Sequence, residues 1–516
     1  MLWLLTLLIA GMFIAFYPLP ADDAFIVGRY VRHLYDGDGL VFNSGERINA
    51  VTSPLLTFVI AAFHAVSRDP VDTYRVAASL LTACTLVVIS RNAYITHVDR
   101  LLFLGLTLAS PFVCFWAIGG LETPLVLCAC SFIAALALSS SEENSGTRAA
   151  QVVWLSTIAV LARYDSALFV APVTGFLLLR YRSDRRVIAI AIGCAAVVAG
   201  WIAFTYLYYD DILPTSFYVK MGDPGKPGEL LRGIVYMISF SILALVVPVA
   251  VTMRIWNAKA VSAGDRPLRR MLWLGVLLEG IYAIFAGDKH MMYAYRLFVP
   301  YLPSLILLLL KGDSGRQSAS SRPRRRVLWL GLILGYQFLT GLFLYYWSEN
   351  PNLSLAFRKQ GAGNEIYEFS TSGAKYTGTF LAAVRASTSE VQAHWDKVSE
   401  SRSRPMRIAV LTGGTLPYSL PDAYILETLV SYRHHCSGNF ALFADYVQII
   451  QNADAPLGPR QIFGEEDRGW ELVSKHELTV RGLQDNHYRV RIDIWHQPHP
   501  APVIFPPMVN QPCMGA

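Results

Sequence analysis

Two adjacent carboxylates, Asp22 and Asp23, follow the first apolar run of the chain directly. The residues after them, through Tyr35, alternate with a helical period. Phe25 or Val27, Val31, Leu34 and Tyr35 fall on one side; Arg29, Arg32 and His33 fall on another. Such a helix is expected to lie flat at a membrane interface, with the aspartates at its N-terminus, where the helix dipole favours anions. One Asp suffices as a cap. A second adjacent carboxylate adds repulsion without capping benefit, so the pair is a candidate for acid–base chemistry.

More charges stand in otherwise apolar surroundings: Glu122, Arg163 with Asp165, Lys220, and Asp288 with Lys289 and Arg296. Each alone reads as an interfacial anchor, and Arg163 and Asp165 could simply pair with each other. Together they suggest a polar cavity, because charges at membrane depth usually line one. Arg163, Lys220, Lys289 and Arg296 have the chemistry to clamp a phosphate, and an Asp to take a proton from an acceptor hydroxyl. A divalent cation beside the Asp pair is conceivable, although no full ligand set stands there. The Asp36-Gly37-Asp38-Gly39 stretch reads as turns and lacks the spacing of a calcium loop.

The elements that must hold these residues are membrane helices. The chain has 516 residues, 53% hydrophobic and 16% charged, against about 25% charged in soluble domains. That composition excludes a soluble globular enzyme and a disordered chain. Apolar runs lie near 1–18, 51–67, 74–93, 101–118, 123–139, 149–180, 187–208, 230–252, 271–286, 297–310 and 327–347, which predicts about eleven spans. The run 149–180 is too long for one span and carries Arg163 and Asp165, so two short helices meeting at those residues are expected. A break at Pro111 is expected within 74–119.

Net charge is +6, but the basic residues cluster in short loops and set topology; nucleic acid is not the expected partner. The clusters Arg180–Arg186, Arg254–Arg270 and Lys311–Arg326 would be cytoplasmic. The loops around 209–229 and 287–296, and everything after the last span, would be extracytoplasmic. Cys84, Cys114, Cys128, Cys130 and Cys194 lie in apolar runs and read as buried small hydrophobes. Cys436 and Cys513 share the polar C-terminal region and are the candidate disulfide, in an oxidising compartment. The expected organisation is a membrane body over 1–348 and a C-terminal extracytoplasmic α/β domain over 349–516, with strands near Arg407–Leu411 and Tyr488–Ile494. Gly413-Gly414-Thr415 lacks the Lys-Ser/Thr ending of a phosphate loop and reads as a plain turn. A cavity outside the cytoplasm has no nucleotide sugar to draw on, so a lipid-linked phosphate donor fits.

The ordered motifs Asp22-Asp23-Ala24-Phe25, Gly39-Leu40-Val41-Phe42-Asn43, Gly45-Glu46-Arg47 and Thr52-Ser53-Pro54-Leu55 carry a resemblance. So do Gly120-Leu121-Glu122-Thr123-Pro124-Leu125, Arg163-Tyr164-Asp165, Pro214-Thr215 with Lys220, and Gly287-Asp288 with Tyr295-Arg296 and Pro300. As a set they resemble the GT-C superfamily of polytopic glycosyltransferases. Within it they are most similar to the terminal β-(1→2)-arabinofuranosyltransferase family of mycobacterial cell-wall synthesis. Tyr164 stands where that family would have Pro, and Thr215-Ser216 where it would have Asn-Thr.

The resemblance implies transfer of a sugar, D-arabinofuranose, from a polyprenyl phosphate to an extracytoplasmic glycan or glycoprotein at a bacterial plasma membrane. It places Asp22 and Asp23 at the reacting end, with Asp22 slightly favoured as the base. Arg163, Lys220, Arg296 and Lys289 would hold the donor phosphate. Glu122, Asp165, Asp288 and Glu46 would orient those bases or bind sugar hydroxyls. The C-terminal domain would bind the acceptor or cover the cavity. The rival within the class is a GT-C transferase of another sugar to a surface protein such as a pilin. The rival outside it is a lipid-linked sugar transporter or flippase, which usually shows the internal repeats missing from this sequence.

Overall fold

The computed structural model describes residues 2–93, 97–139, 145–215, 217, 229–246, 266–286, 293–310, 323–349, 378–398, 405–410, 414–426, 444–452, 470–481 and 487–498. Lys220, Asp288, Lys289, Cys436 and Cys513 lie outside the described residues.

The apolar runs form helices α1 (Leu2–Phe16), α2 (Asp23–Asp36), α3 (Pro54–His64), α4 (Pro70–Ala93), α5 (His97–Leu106), α6 (Pro111–Ile118), α7 (Thr123–Ala137), α8 (Ser145–Ala162), α9 (Ala167–Arg180), α10 (Arg185–Tyr209), α11 (Glu229–Leu243), α12 (Arg266–Ala286), α13 (Leu302–Leu310) and α14 (Pro323–Glu349). Local chemistry sets several ends. Ser53 caps α3 through Leu56 N and is followed by Pro at the first turn. Asp184 caps α10 through the amides of Arg186 and Val187. The break expected at Pro111 is present: α5 and α6 meet at 65°, because Pro cannot continue the preceding helix. The long run 149–180 is likewise two helices, joined by a 3-10 turn over Tyr164–Ser166.

Among the described residues, α4 and α10 are long and apolar enough to cross a membrane singly, and the bent α5–α6 pair would make a third span. Shorter apolar helices accompany them, including α1, α3 and α7. Large apolar side chains such as Trp3, Leu80, Ile192 and Leu207 cover the outside of the bundle, the surface that a lipid solvent permits. The same permissiveness corrects one expectation. Cys114, Cys128, Cys130 and Cys194 are buried, but Cys84 is on the outer surface of α4, where a small apolar side chain sits as comfortably in lipid as in protein.

The C-terminal region holds helices α15 (Gly378–Val398) and α16 (Thr415–Ser419) and strands β1 (Arg407–Ala409), β2 (Tyr424–Leu426), β3 (Tyr446–Asn452), β4 (Glu471–Arg481) and β5 (His487–His496). They form one mixed sheet in the order β2-β1-β3-β5-β4. β1 runs parallel to β2 and β3, while β5 is antiparallel to β3 and β4. Its apolar core, including Ile408, Ile425, Ile492 and Ile494, is continuous with Tyr30, Leu40 and Phe42 from the segment between α1 and α3.

That continuity overturns the interfacial reading of α2. Its polar face is turned inward onto residues 414–423. Arg29 is fully buried and donates to the carbonyls of Phe42 (2.7 Å), Pro417, Leu420 (2.8 Å) and Ala423 (2.5 Å). Arg32 donates to Tyr418 O at 3.0 Å, and His33 Nε2 lies 3.3 Å from Pro421 O. A guanidinium can satisfy several carbonyls at once, so the cationic stripe of α2 is a socket for the end of α16 and the turn that follows.

Candidate active site

Three close approaches build the floor of the site. Arg75 on α4 donates to Ile118 O at 2.8 Å and to Tyr17 O, holding the ends of α6 and α1 together. Ala21 N donates to Gly119 O at 2.8 Å. Gly120 has φ +90, and a Cβ there would lie 2.9 Å from that of Ala24; only glycine fits this left-handed position against α2. The result brings Glu122, which precedes α7, under the N-terminus of α2.

Around Glu122 the structure assembles charges that are far apart in sequence. Arg296 Nη2 donates to both Glu122 oxygens, at 3.0 and 3.2 Å. Arg296 Nη1 lies 3.7 Å from Asp23 Oδ2, and its guanidinium sits over the Trp116 ring, 5.6 Å from the centroid. Arg163 Nε is 3.9 Å from Glu122 Oε1, and its Nη2 is 2.7 Å from Asp165 Oδ2. Arg163 also donates to Arg296 O at 3.4 Å. The order is therefore Asp23–Arg296–Glu122–Arg163–Asp165. Burial alone would push the Glu122 carboxyl up; Arg296 and then Arg163 more than reverse that and hold it below the ordinary carboxylate range. Glu122 is thus an anion that anchors two guanidiniums.

The two aspartates part company. Asp22 is 2% exposed. Its Oδ2 accepts from Gly414 N at 3.1 Å, and its Oδ1 from Thr415 N at 2.8 Å and Thr415 Oγ1 at 2.7 Å. Gly414 and Thr415, at the start of α16, thus cradle the chain's own carboxylate. A Cβ on Gly414 would lie 1.9 Å from Asp22 O, so the turn needs glycine for this close approach. Asp23, in the first turn of α2, has 29% of its side chain exposed and faces Arg296.

Glu46 also faces the C-terminal sheet. Its Oε2 accepts from Asn43 Nδ2 and from Tyr424 Oη, both at 3.0 Å. Asn43 in turn exchanges two 2.9 Å bonds with the backbone of Ile425 on β2, extending that edge as a strand would. The structure therefore gathers Asp23, Glu122, Arg163, Asp165 and Arg296, and directs Asp22 and Glu46 to the C-terminal segment.

Sequence reading missed Glu279, Trp116 and Arg75. Glu279 on α12 is 2% exposed and lies within electrostatic reach of Asp165 and Arg163. A glutamate inside an apolar helix is itself a signal.

No family model matches the chain. Over 242 residues it is 25% identical to the terminal β-(1→2)-arabinofuranosyltransferase of Mycobacterium tuberculosis, a stretch covering 43% of this chain and 37% of that protein. The match thus spans little more than a third of the relative's length. The fold is similar to the crystal structure of ArnT from Cupriavidus metallidurans bound to undecaprenyl phosphate, with TM-score 0.55 and 11% identity over 95% of this chain and 97% of that one. The chain has the fold of that protein. In this chain the charged cluster lies where α2, α7, the α8–α9 junction and the 293–301 segment meet.

Proposed function

We propose that this chain is a membrane glycosyltransferase that moves D-arabinofuranose from a polyprenyl-phosphate donor to a hydroxyl of a cell-envelope glycan. The carrying observation is the order Asp23–Arg296–Glu122–Arg163–Asp165. It sets a partly exposed carboxylate beside a guanidinium that a second carboxylate fixes in place. The similarity to an arabinofuranosyltransferase supports the sugar. The similarity to a fold that binds undecaprenyl phosphate in its own structure supports the donor.

Asp23 takes the proton of the acceptor hydroxyl as its oxygen attacks the anomeric carbon. The bond from that carbon to the phosphate oxygen breaks, and polyprenyl phosphate leaves with the bonding pair. Arg296 and Arg163 stabilise the negative charge that develops on the leaving group, and Lys220 and Lys289 add to that field. Glu122 and Asp165 hold the guanidiniums in place. The acceptor approaches from the side of the C-terminal sheet, which together with the site faces the outside of a bacterial plasma membrane. No step in this scheme uses a metal.

The test of the sugar is a direct comparison in lipid nanodiscs. Purified protein is given synthetic polyprenyl-phosphoryl-D-arabinofuranose or the corresponding mannosyl or glucosyl lipid, with an arabinan oligosaccharide as acceptor. Transfer from the arabinofuranosyl lipid alone is expected. Transfer from another lipid in its place would reassign the sugar and keep the reaction class.

A further inference from the structure

We propose that His394, Glu471 and His496 form a binding site for a divalent transition metal of zinc's class, separate from the charged cluster. The sheet register creates it. His496 at the end of β5 is paired with Tyr446 on β3 and with Glu471 on β4. Directly opposed residues on neighbouring strands project from the same face. Helix α15 packs on that face against β4 and β5, with Val384 and Val391 buried, and brings His394 down onto the row.

The distances suit one cation. His394 Nε2 is 3.6 Å and His496 Nδ1 3.9 Å from the same oxygen, Glu471 Oε2. One ligand atom from each of the three residues lies within 4.8 Å of the others. Ligands about 2.0–2.1 Å from a tetrahedral zinc stand about 3.4 Å apart, so the two Glu471 distances are near that spacing and closing the site draws the two histidines together by about 1 Å or more. Tyr446 Oη is 2.8 Å from His394 Nδ1. With Nδ1–H donating to that oxygen, the Nε2 lone pair faces Glu471, which is how a second partner orients a ligating imidazole.

The plain alternative is a cluster of His–Glu ion pairs. It needs no more than a neutral N–H donor or a single imidazolium facing Glu471, since two imidazolium rings with centroids 4.8 Å apart would repel. One shared cation gives the same geometry to neutral rings and an ionised Glu471. Two nitrogens and one oxygen favour zinc over calcium or magnesium, which prefer all-oxygen sites. The Glu471 side chain is 65% exposed and that of His394 only 19%, so a fourth position opens to water on the glutamate side. A metal here would staple α15 to the sheet. Because α15 also packs on α16, which holds Asp22, it would stiffen the attachment of the whole C-terminal region.

The test uses the full-length protein, tag removed, in nanodiscs and stripped with a chelator. Zinc chloride alone is titrated by calorimetry, and cobalt chloride by its visible d–d bands. One equivalent is expected to bind, with the intense bands of four-coordinate cobalt. H394A and H496A are each expected to weaken binding at least about tenfold. E471Q, at an exposed position, is expected to do the same without unfolding, and decides the matter if a histidine variant does not fold. Absence of saturable binding to the wild type, or affinity unchanged in E471Q, would overturn the site. Neither readout depends on sugar transfer.

Discussion

At the scale of residues, the decisive contrast is between neighbours. Sequence could show that two carboxylates in a row exceed what a helix cap needs. It could not show which one was spoken for, because the partners of Asp22 are Gly414 and Thr415, at the other end of the chain. Asp23 keeps part of its side chain open beside Arg296, and the account therefore gives the base role to Asp23 instead of Asp22. The two arginines stand out for a physical reason: a charge within an apolar stretch of the chain is costly unless it meets a partner, and Arg163 and Arg296 both meet Glu122. A first prediction follows for Arg296. Its fork serves Glu122 and Asp23 together, and a lysine ammonium is a point charge that cannot hold both. Arg296→Lys is expected to lower kcat for transfer at least about tenfold, with the melting temperature little changed. Steady-state kinetics beside a melting curve check it.

At the scale of elements, α2 is where periodicity misled. The amphipathic pattern is present in α2, but its polar face is buried and not solvated. Cationic residues usually face solvent; here the carbonyls of 417–423 are a better-matched partner than water. Nothing local to α2 announces those carbonyls. By contrast, the Pro111 break and the division at Arg163–Asp165 rest on backbone rules and on charge, which act locally, and both were readable.

Two predictions belong to this helix. Arg29→Met takes the guanidinium from four buried carbonyls, of which Pro417 O and Leu420 O keep a backbone N–H, and should destabilise the protein by about 3–5 kcal/mol. Thermal melting and faster proteolytic cleavage near 414–423 would register it, with the bundle's helical circular dichroism retained. Arg29→Lys should not rescue it, since one ammonium cannot reach the carbonyls on both sides. His33 gives a pH dependence. Burial, and then the nearby Arg29, hold its folded pKa below the ordinary value. Above pH of about 6.5 the ring is neutral whether the protein is folded or not. As pH falls below that, the unfolded chain takes up a proton that the folded chain resists. Stability therefore drops with falling pH until the folded pKa is passed. His33→Asn should flatten the fall in melting temperature as pH drops below about 6.5; a slope equal to the wild type's would assign the effect elsewhere.

At the scale of the whole molecule, composition announced a helical membrane body, and the fold comparison agrees with it. The strands near 407 and 488 were visible as short β-like runs, but the sheet order was not, because its pairing joins segments separated by long polar stretches. What the sequence concealed most completely is the joint. The segment between α1 and α3 belongs as much to the C-terminal sheet as to the bundle, through Arg29, Asn43, Glu46 and Asp22. That joint adjoins the charged cluster through Asp22 and Asp23, so a variant at the joint is expected to act through stability, and a variant in the cluster to act on transfer directly.

The measurement that separates these most directly pairs Asp23→Asn with Asp22→Asn in nanodiscs. It follows release of polyprenyl phosphate from polyprenyl-phosphoryl-arabinofuranose with acceptor present, alongside the melting temperature. Asp23→Asn is expected to lose at least about a hundredfold in rate while melting like the wild type, and Asp22→Asn to melt measurably earlier. Wild-type turnover by a folded Asp23→Asn protein would contradict it and move the chemistry away from this cluster.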